Sequence, residues 1–94
     1  TIAYAPTATV SLVYADQYYA PTGTTELVIG ASPVDGNFRK VLLYVAPDGG
    51  NVTWPASTNH FAWADSAPTN DNVTVLFYSP PQSSNVTGRV YQYE

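Results

Sequence analysis

Residues 38–46 read FRKVLLYVA, and their pattern decides the class of fold. Successive side chains of an extended strand point to opposite faces. One face of this stretch then carries Val41, Leu43 and Val45, and the other carries Leu42 and Tyr44. A run that is apolar on both faces and bounded by turn residues is typical of a strand inside a sheet. The stretch therefore predicts a central β-strand.

Six shorter runs have the same character, because β-branched and aromatic residues recur in them at alternate positions. These runs are residues 9–14, residues 26–31, Val52 with Trp54, Phe61 with Trp63, residues 73–78, and Val86–Tyr93. Turn residues separate the runs, as in Pro47-Asp48-Gly49-Gly50, since proline presets φ and glycine accepts positive φ. Eight prolines and six glycines interrupt any long helix. The chain is therefore predicted to be all-β, a small antiparallel β-sandwich of immunoglobulin-like architecture with about seven strands.

The length of 94 residues fits a single domain. Pro6 separates Ile2 and Tyr4 from the first full strand. We therefore expect an extended N-terminal arm over residues 1–7 and a sandwich domain over residues 8–94. The chain contains no methionine, so we also expect its N-terminus to arise by removal of a signal peptide or by excision from a longer protein.

The charge balance excludes several classes of partner. Charged residues make up 11% of the chain, against about 25% in typical soluble domains. The net charge is −4, and only three residues are basic, which is too few to follow a phosphate backbone or an anionic membrane surface. No apolar run approaches the length that crosses a bilayer. The low charge favours an extracellular protein over a cytosolic enzyme, with no nucleic-acid partner and no membrane insertion.

The triplet Asn-Val-Thr occurs three times, beginning at Asn51, Asn72 and Asn85. Each copy fits the acceptor pattern for N-linked glycans. Each also lies where a turn leads into a predicted strand, and Asn suits turns while Val and Thr suit strands. The glycan interpretation and the turn-to-strand interpretation are both open. We predict covalent glycans at these three asparagines, because that interpretation says more about the protein.

Groups for catalysis or metal binding are sparse. Cysteine is absent, which excludes disulfides and thiolate chemistry. His60 is the only histidine and has Ser57 and Asp65 nearby in sequence, but no nucleophile motif surrounds it. The Asp and Asn residues of the predicted turns are explained by turn chemistry, without a calcium loop. We therefore expect no enzymatic activity, no cofactor and no metal site.

Aromatic residues are the most prominent candidates for contacts. Tyr18, Tyr19, Tyr91 and Tyr93 are difficult to place in a small core, and tyrosine is common at protein–protein interfaces. We predict that these four tyrosines contribute to subunit contacts. Trp54 and Trp63 are either core residues or, in an alternative, platforms that stack on sugar rings.

The arm suggests a way for copies of the chain to join. Ile2 and Tyr4 alternate with alanines in a strand-like pattern, and such a segment can pair with the exposed sheet edge of a neighbour. The other open interpretation is that the arm folds back onto its own sheet. The expected function is a secreted structural subunit, N-glycosylated, which assembles with copies of itself into a filament or surface layer by strand exchange. The alternative is a carbohydrate-binding or adhesive module of a larger surface protein.

Overall fold

The computed structural model describes residues 1–13 and 15–94. These residues form strands and connections and no helix long and apolar enough to cross a membrane. The eight strands are β1 (Thr7–Val10), β2 (Gln17–Tyr19), β3 (Thr24–Ile29), β4 (Arg39–Val45), β5 (Asn51–Thr53), β6 (Phe61–Trp63), β7 (Val73–Ser79) and β8 (Val86–Tyr93). The all-β prediction is confirmed. Tyr14, which the sequence placed on the first strand, lies outside the described residues.

The strands form two sheets that enclose one core. The three-stranded sheet has the order β1-β3-β5, and the five-stranded sheet has the order β2-β4-β7-β8-β6. Val41, Leu43 and Val45 are buried, and β4 lies between β2 and β7, so the predicted central strand is confirmed. The arrangement is sandwich-like, because one face of each sheet supplies the core. Its buried apolar residues are Ala8, Val10, Leu12, Tyr19, Leu27, Ile29, Val41, Leu43, Val45, Phe61, Val73, Val75, Phe77 and Val86.

The predicted antiparallel arrangement is wrong for most of the strand pairs. Only β4–β7 and β7–β8 are antiparallel, whereas β1–β3, β3–β5, β2–β4 and β6–β8 are parallel. The immunoglobulin-like architecture, which is built from antiparallel sheets, is therefore not confirmed. The physical reason is that the turns between β1 and β6 do not make hairpins. They carry the chain from one sheet to the other, so that these strands pair only after the chain returns, whereas the turn at Pro80 and Pro81 joins β7 to β8 within one sheet.

Two of these crossing turns are stacked on each other. The turn over residues 20–23 follows β2, and the turn over residues 46–50 follows β4. The carbonyl oxygen of Pro21 accepts hydrogen bonds from the amides of Asp48, at 2.9 Å, and Gly50, at 3.2 Å. A Cβ atom added to Gly50 would lie 2.6 Å from the nitrogen of Gly23, so only glycine fits this contact.

Candidate functional site

The N-terminal arm lies on its own chain. The amide of Ile2 donates to the carbonyl oxygen of Tyr18 at 2.8 Å, and Ile2 pairs with Tyr19 in parallel. The arm therefore extends the five-stranded sheet beyond β2 before the chain crosses to β1. The sequence left two placements open for the arm over residues 1–7: on the sheet edge of a neighbour or on its own sheet. In this structure the arm folds back onto its own sheet.

The arm occupies a slot formed by β2, the turn after it and the start of β3, which we call the arm slot (residues 18–25). The hydroxyl of Tyr4 donates to the carbonyl oxygen of Thr24 at 3.0 Å. An added Cβ at Gly23 would lie 2.6 Å from that hydroxyl oxygen, so a side chain at this position would displace the phenol ring from its place over Gly23. Inside the slot, Tyr19 donates to Thr25 Oγ1 at 2.8 Å, and Thr25 donates to the carbonyl oxygen of Ala5 at 2.6 Å.

The tyrosines predicted for subunit contacts have different environments. Tyr18, Tyr91 and Tyr93 are exposed, whereas Tyr19 is fully buried in the core. The expectation that Tyr19 lies at the surface is therefore wrong, because its hydroxyl finds a partner inside the slot. Tyr93 is tied to the loop before β7: hydrogen bonds from the side chain and backbone of Thr69 lower the pKa of its phenol.

Both tryptophans bridge the open side of the sandwich between β5 and β6. Trp54 Nε1 donates to Asp71 Oδ1 at 3.0 Å, and Asp71 Oδ2 accepts from the amide of Val52 at 2.9 Å. Trp63 Nε1 donates to the carbonyl oxygen of Pro55 at 2.7 Å. The two indole planes meet at 75°, with centroids 6.1 Å apart. They do not share a plane, so the pair does not form the flat sugar platform of the alternative prediction.

A groove of about 490 Å³ opens beside Trp54. Most of its lining is apolar, and Trp63 does not contribute to it. The lining residues are Glu26, Leu27, Val28, Ile29, Thr53, Trp54, Pro55, Ala56, Thr58, His60 and Phe61. The groove exists because the pairing of β3 with β5 ends at Glu26 and Thr53, and Pro55 has no amide hydrogen to continue it.

His60 lies in the wall of this groove. Its Nε2 atom is 2.9 Å from the carbonyl oxygen of Ile29, and a carbonyl only accepts, so Nε2 carries the proton. No hydrogen bond in the described part of the chain joins the ring to Ser57 or Asp65. Among residues 1–13 and 15–94, no three His, Asp or Glu side chains converge in a way that would hold a metal ion.

The three Asn-Val-Thr sites have exposed asparagines. Asn51 begins β5 on the outer face of the three-stranded sheet, and Asn72 and Asn85 lie directly before β7 and β8. The predicted position of each site, where a turn leads into a strand, is confirmed. Asn51 borders the arm slot, because it is in register with Thr24 and its amide donates to the carbonyl oxygen of Gly23 at 3.4 Å. Asn72 and Asn85 precede strands that β4 separates from β2.

That outer face is a surface that sequence reasoning identified only in part. Leu42 and Tyr44 were predicted to share a face of β4, but the structure adds neighbours from other strands. Tyr18 is in register with Tyr44 across the β2–β4 pair, and Phe38 stacks on Tyr78 with centroids 6.4 Å apart. Finding this cluster requires the parallel pairing of β2 with β4, which no local pattern reveals.

Comparison with protein families, curated proteins and solved structures found no match to this chain.

Proposed function

We propose that this domain is an extracellular structural subunit that assembles with copies of itself by exchanging the N-terminal arm. The observation that supports this proposal is the shape of the arm slot. Gly23 leaves room for the ring of Tyr4. The hydroxyls of Tyr19 and Thr25 form a chain of two hydrogen bonds that ends on the carbonyl oxygen of Ala5. A slot with this specificity accepts an identical arm from a second copy.

Exchange between copies keeps every contact that the arm makes within one chain. The slot is made by residues 18–25, and the arm reaches it through the short link at Pro6. An arm that enters the slot of a neighbour forms the same hydrogen bonds, so the exchange costs little. If each copy gives its arm to the next copy, the contact is head-to-tail and the product is a filament.

Two of the three Asn-Val-Thr sites are compatible with this route. Asn51 is the exception, because it is in register with Thr24 and its amide donates to the carbonyl oxygen of Gly23 at 3.4 Å, so a glycan there would stand beside the arm. Asn72 and Asn85 precede β7 and β8, which are separated from β2 by β4. Glycans at Asn72 and Asn85 would therefore leave the arm slot accessible.

A cysteine cross-link tests the exchange, and the chain has no native cysteine to interfere. Ala3 and Ala20 are the next residues in the register that pairs Ile2 with Tyr19, and neighbouring strands are within disulfide range. We expect that Ala3→Cys chains mixed with Ala20→Cys chains, refolded together at high concentration and oxidised, form a mixed disulfide dimer detectable by non-reducing intact mass.

Two controls make the result specific. Ala62→Cys places an exposed thiol on β6, at the edge of the five-stranded sheet opposite β2, and mixing it with Ala3→Cys should give only background cross-linking. Gly23→Ala should lower the yield, because its methyl group takes the place of the Tyr4 hydroxyl. Arm exchange would be refuted if the mixture gave no more dimer than the Ala62→Cys control while a doubly substituted chain closed its own disulfide.

Glycosylation is the second part of the proposal and has its own measurement. We expect material secreted from a eukaryotic host to exceed the 10.1 kDa polypeptide mass by several hexoses per occupied site. Enzymatic removal of N-glycans should restore the polypeptide mass and convert each occupied asparagine to aspartate. Thr53→Ala removes one acceptor and should reduce the excess while leaving Asn51 in place. A secreted product with the bare polypeptide mass would refute this part.

A further inference from the structure

The outer face of the five-stranded sheet combines aromatic rings with positive charge. Tyr18, Phe38 and Tyr44 are 45%, 58% and 42% exposed. Leu42 and Leu76 are in register with each other and half-buried between the exposed rings. Soluble monomers rarely expose such contiguous apolar surface without a partner.

Two of the three basic residues also lie on this face. Lys40 is in register with Tyr78, and Arg89 is in register with Leu76. The third, Arg39, forms an ion pair with Asp35 at 2.6 Å, whereas Lys40 and Arg89 make no ion pair with any described residue. One carboxylate borders the face, since Asp16 Oδ1 accepts a hydrogen bond from the amide of Leu42 at 3.0 Å. In a chain of net charge −4, a surface with two cations beside one carboxylate is locally positive.

The register fixes the spacing of the two cations. Lys40 on β4 and Arg89 on β8 are separated by β7, which places their strands about 10 Å apart at roughly 4.8 Å per strand. The two residues are also offset by two positions along β7, since Lys40 is opposite Tyr78 and Arg89 is opposite Leu76. Tyr78 and Leu76 fill the space between them. A ligand that reaches both cations must therefore be extended, carry negative charge at intervals, and present apolar surface to the rings.

We propose that this face binds a carboxylated polysaccharide. Sugar carboxylates would pair with Lys40 and Arg89, and the C–H faces of the sugar rings would lie on Tyr18 and Tyr44. The chemistry of the face favours a polysaccharide over an acidic peptide. Peptides that bind sheets add to an edge and use free backbone groups. A ligand that joins Lys40 to Arg89 must instead cross β7, whose backbone is paired with β4 on one side and with β8 on the other. This inference does not depend on arm exchange.

Polygalacturonate is a suitable probe, and its methyl-esterified form is a neutral analogue with the same sugar backbone. We expect the protein to bind polygalacturonate more tightly than the neutral form at low ionic strength, and the difference to shrink at high ionic strength because salt screens exposed charges. Isothermal titration calorimetry of each polymer measures both affinities.

Four variants test whether the polymer binds on this face. Lys40→Gln and Arg89→Gln should each weaken polygalacturonate binding about two- to fivefold, the range of one exposed ion pair. Tyr44→Ser should weaken binding of both polymers. Thr9→Glu, on the outer face of the other sheet, changes the net charge by the same amount as Lys40→Gln and should leave binding unchanged.

Three results would overturn the proposal: no binding of polygalacturonate at low ionic strength, equal losses for Thr9→Glu and Lys40→Gln, or equal binding of polyglutamate that Tyr44→Ser leaves unaffected. The last result would mean that the face recognises charge and not sugars. Thermal melts of each variant identify any that has lost its fold, and in that case a second substitution at the same position, Lys40→Met or Tyr44→Thr, provides the measurement.

Discussion

Replacement of Phe77 by alanine is expected to lower the free energy of unfolding by about 3–5 kcal/mol. Phe77 is fully buried on β7, and its ring lies 6.0 Å from the rings of both Phe61 and Trp63. Gly88, its partner in register on β8, leaves the space that the ring fills, since an added Cβ there would lie 3.0 Å from Phe77. Removal of the ring leaves a cavity that strands paired on both sides do not collapse to fill.

Urea denaturation measures this loss, and Tyr91→Ala is the matched control. Tyr91 is 63% exposed on the neighbouring strand, so its truncation should change stability by no more than about 0.5 kcal/mol. Folded domains are typically stable by about 5–15 kcal/mol, so the Phe77 variant is expected to be only marginally folded. A loss below about 1 kcal/mol would show that the aromatic cluster is not the centre of the core.

Replacement of Gly50 by alanine is expected to cost about 3 kcal/mol, the upper part of the range for overpacking. The added methyl group would collide with the carbonyl oxygens of Gly23 and Pro21 and with the nitrogen of Gly23. All three are backbone atoms of the stacked turn, so no side chain can rotate away. The two crossing turns must then separate, with loss of the hydrogen bonds from Asp48 and Gly50 to Pro21.

Gly36→Ala is the control for the general cost of replacing glycine. Its added Cβ would come no closer than 3.9 Å to any neighbour, at Gln82 Nε2, so we expect little change in the denaturation midpoint. The Gly50 variant should also loosen the arm, because Gly23 contacts both Gly50 and Tyr4. Equal denaturation midpoints for the two variants would contradict the stacked-turn account.

The local pattern of the sequence predicts burial better than it predicts pairing. The alternation of Val41, Leu43 and Val45 identifies a central strand because the period of two is a property of the strand itself. The direction of a neighbouring strand depends on where the chain goes after each turn. Pro47-Asp48-Gly49-Gly50 has the composition of a hairpin turn, but it connects two different sheets. The composition of this stretch therefore predicts a turn but does not predict which sheet the next strand enters.

The candidate sites also divide into those that a local sequence pattern predicts and those that depend on the pairing and turns of the fold. The Asn-Val-Thr sites were located from sequence because the acceptor pattern spans three residues. The burial of Tyr19 was missed because its partner, Thr25 Oγ1, reaches it only through the turn geometry. The grouping of Tyr18 with Tyr44 was missed because it requires the parallel β2–β4 register. Trp54 and Trp63 were recognised as candidates, but their orthogonal orientation depends on Asp71 and Pro55.

The alternation of the chain between the two sheets has a consequence for the folding rate. Among the described strands, β7 and β8 are the only pair that is both consecutive in the chain and joined in a sheet. Every other pairing requires a long loop to close before its contacts form, and this entropy cost slows folding. We expect folding on the millisecond-to-second scale of non-local β-topologies, with β7 and β8 as the earliest nucleus. Until β2 and β3 have taken their places in the two sheets, the arm has no slot, so its docking is a late event in folding.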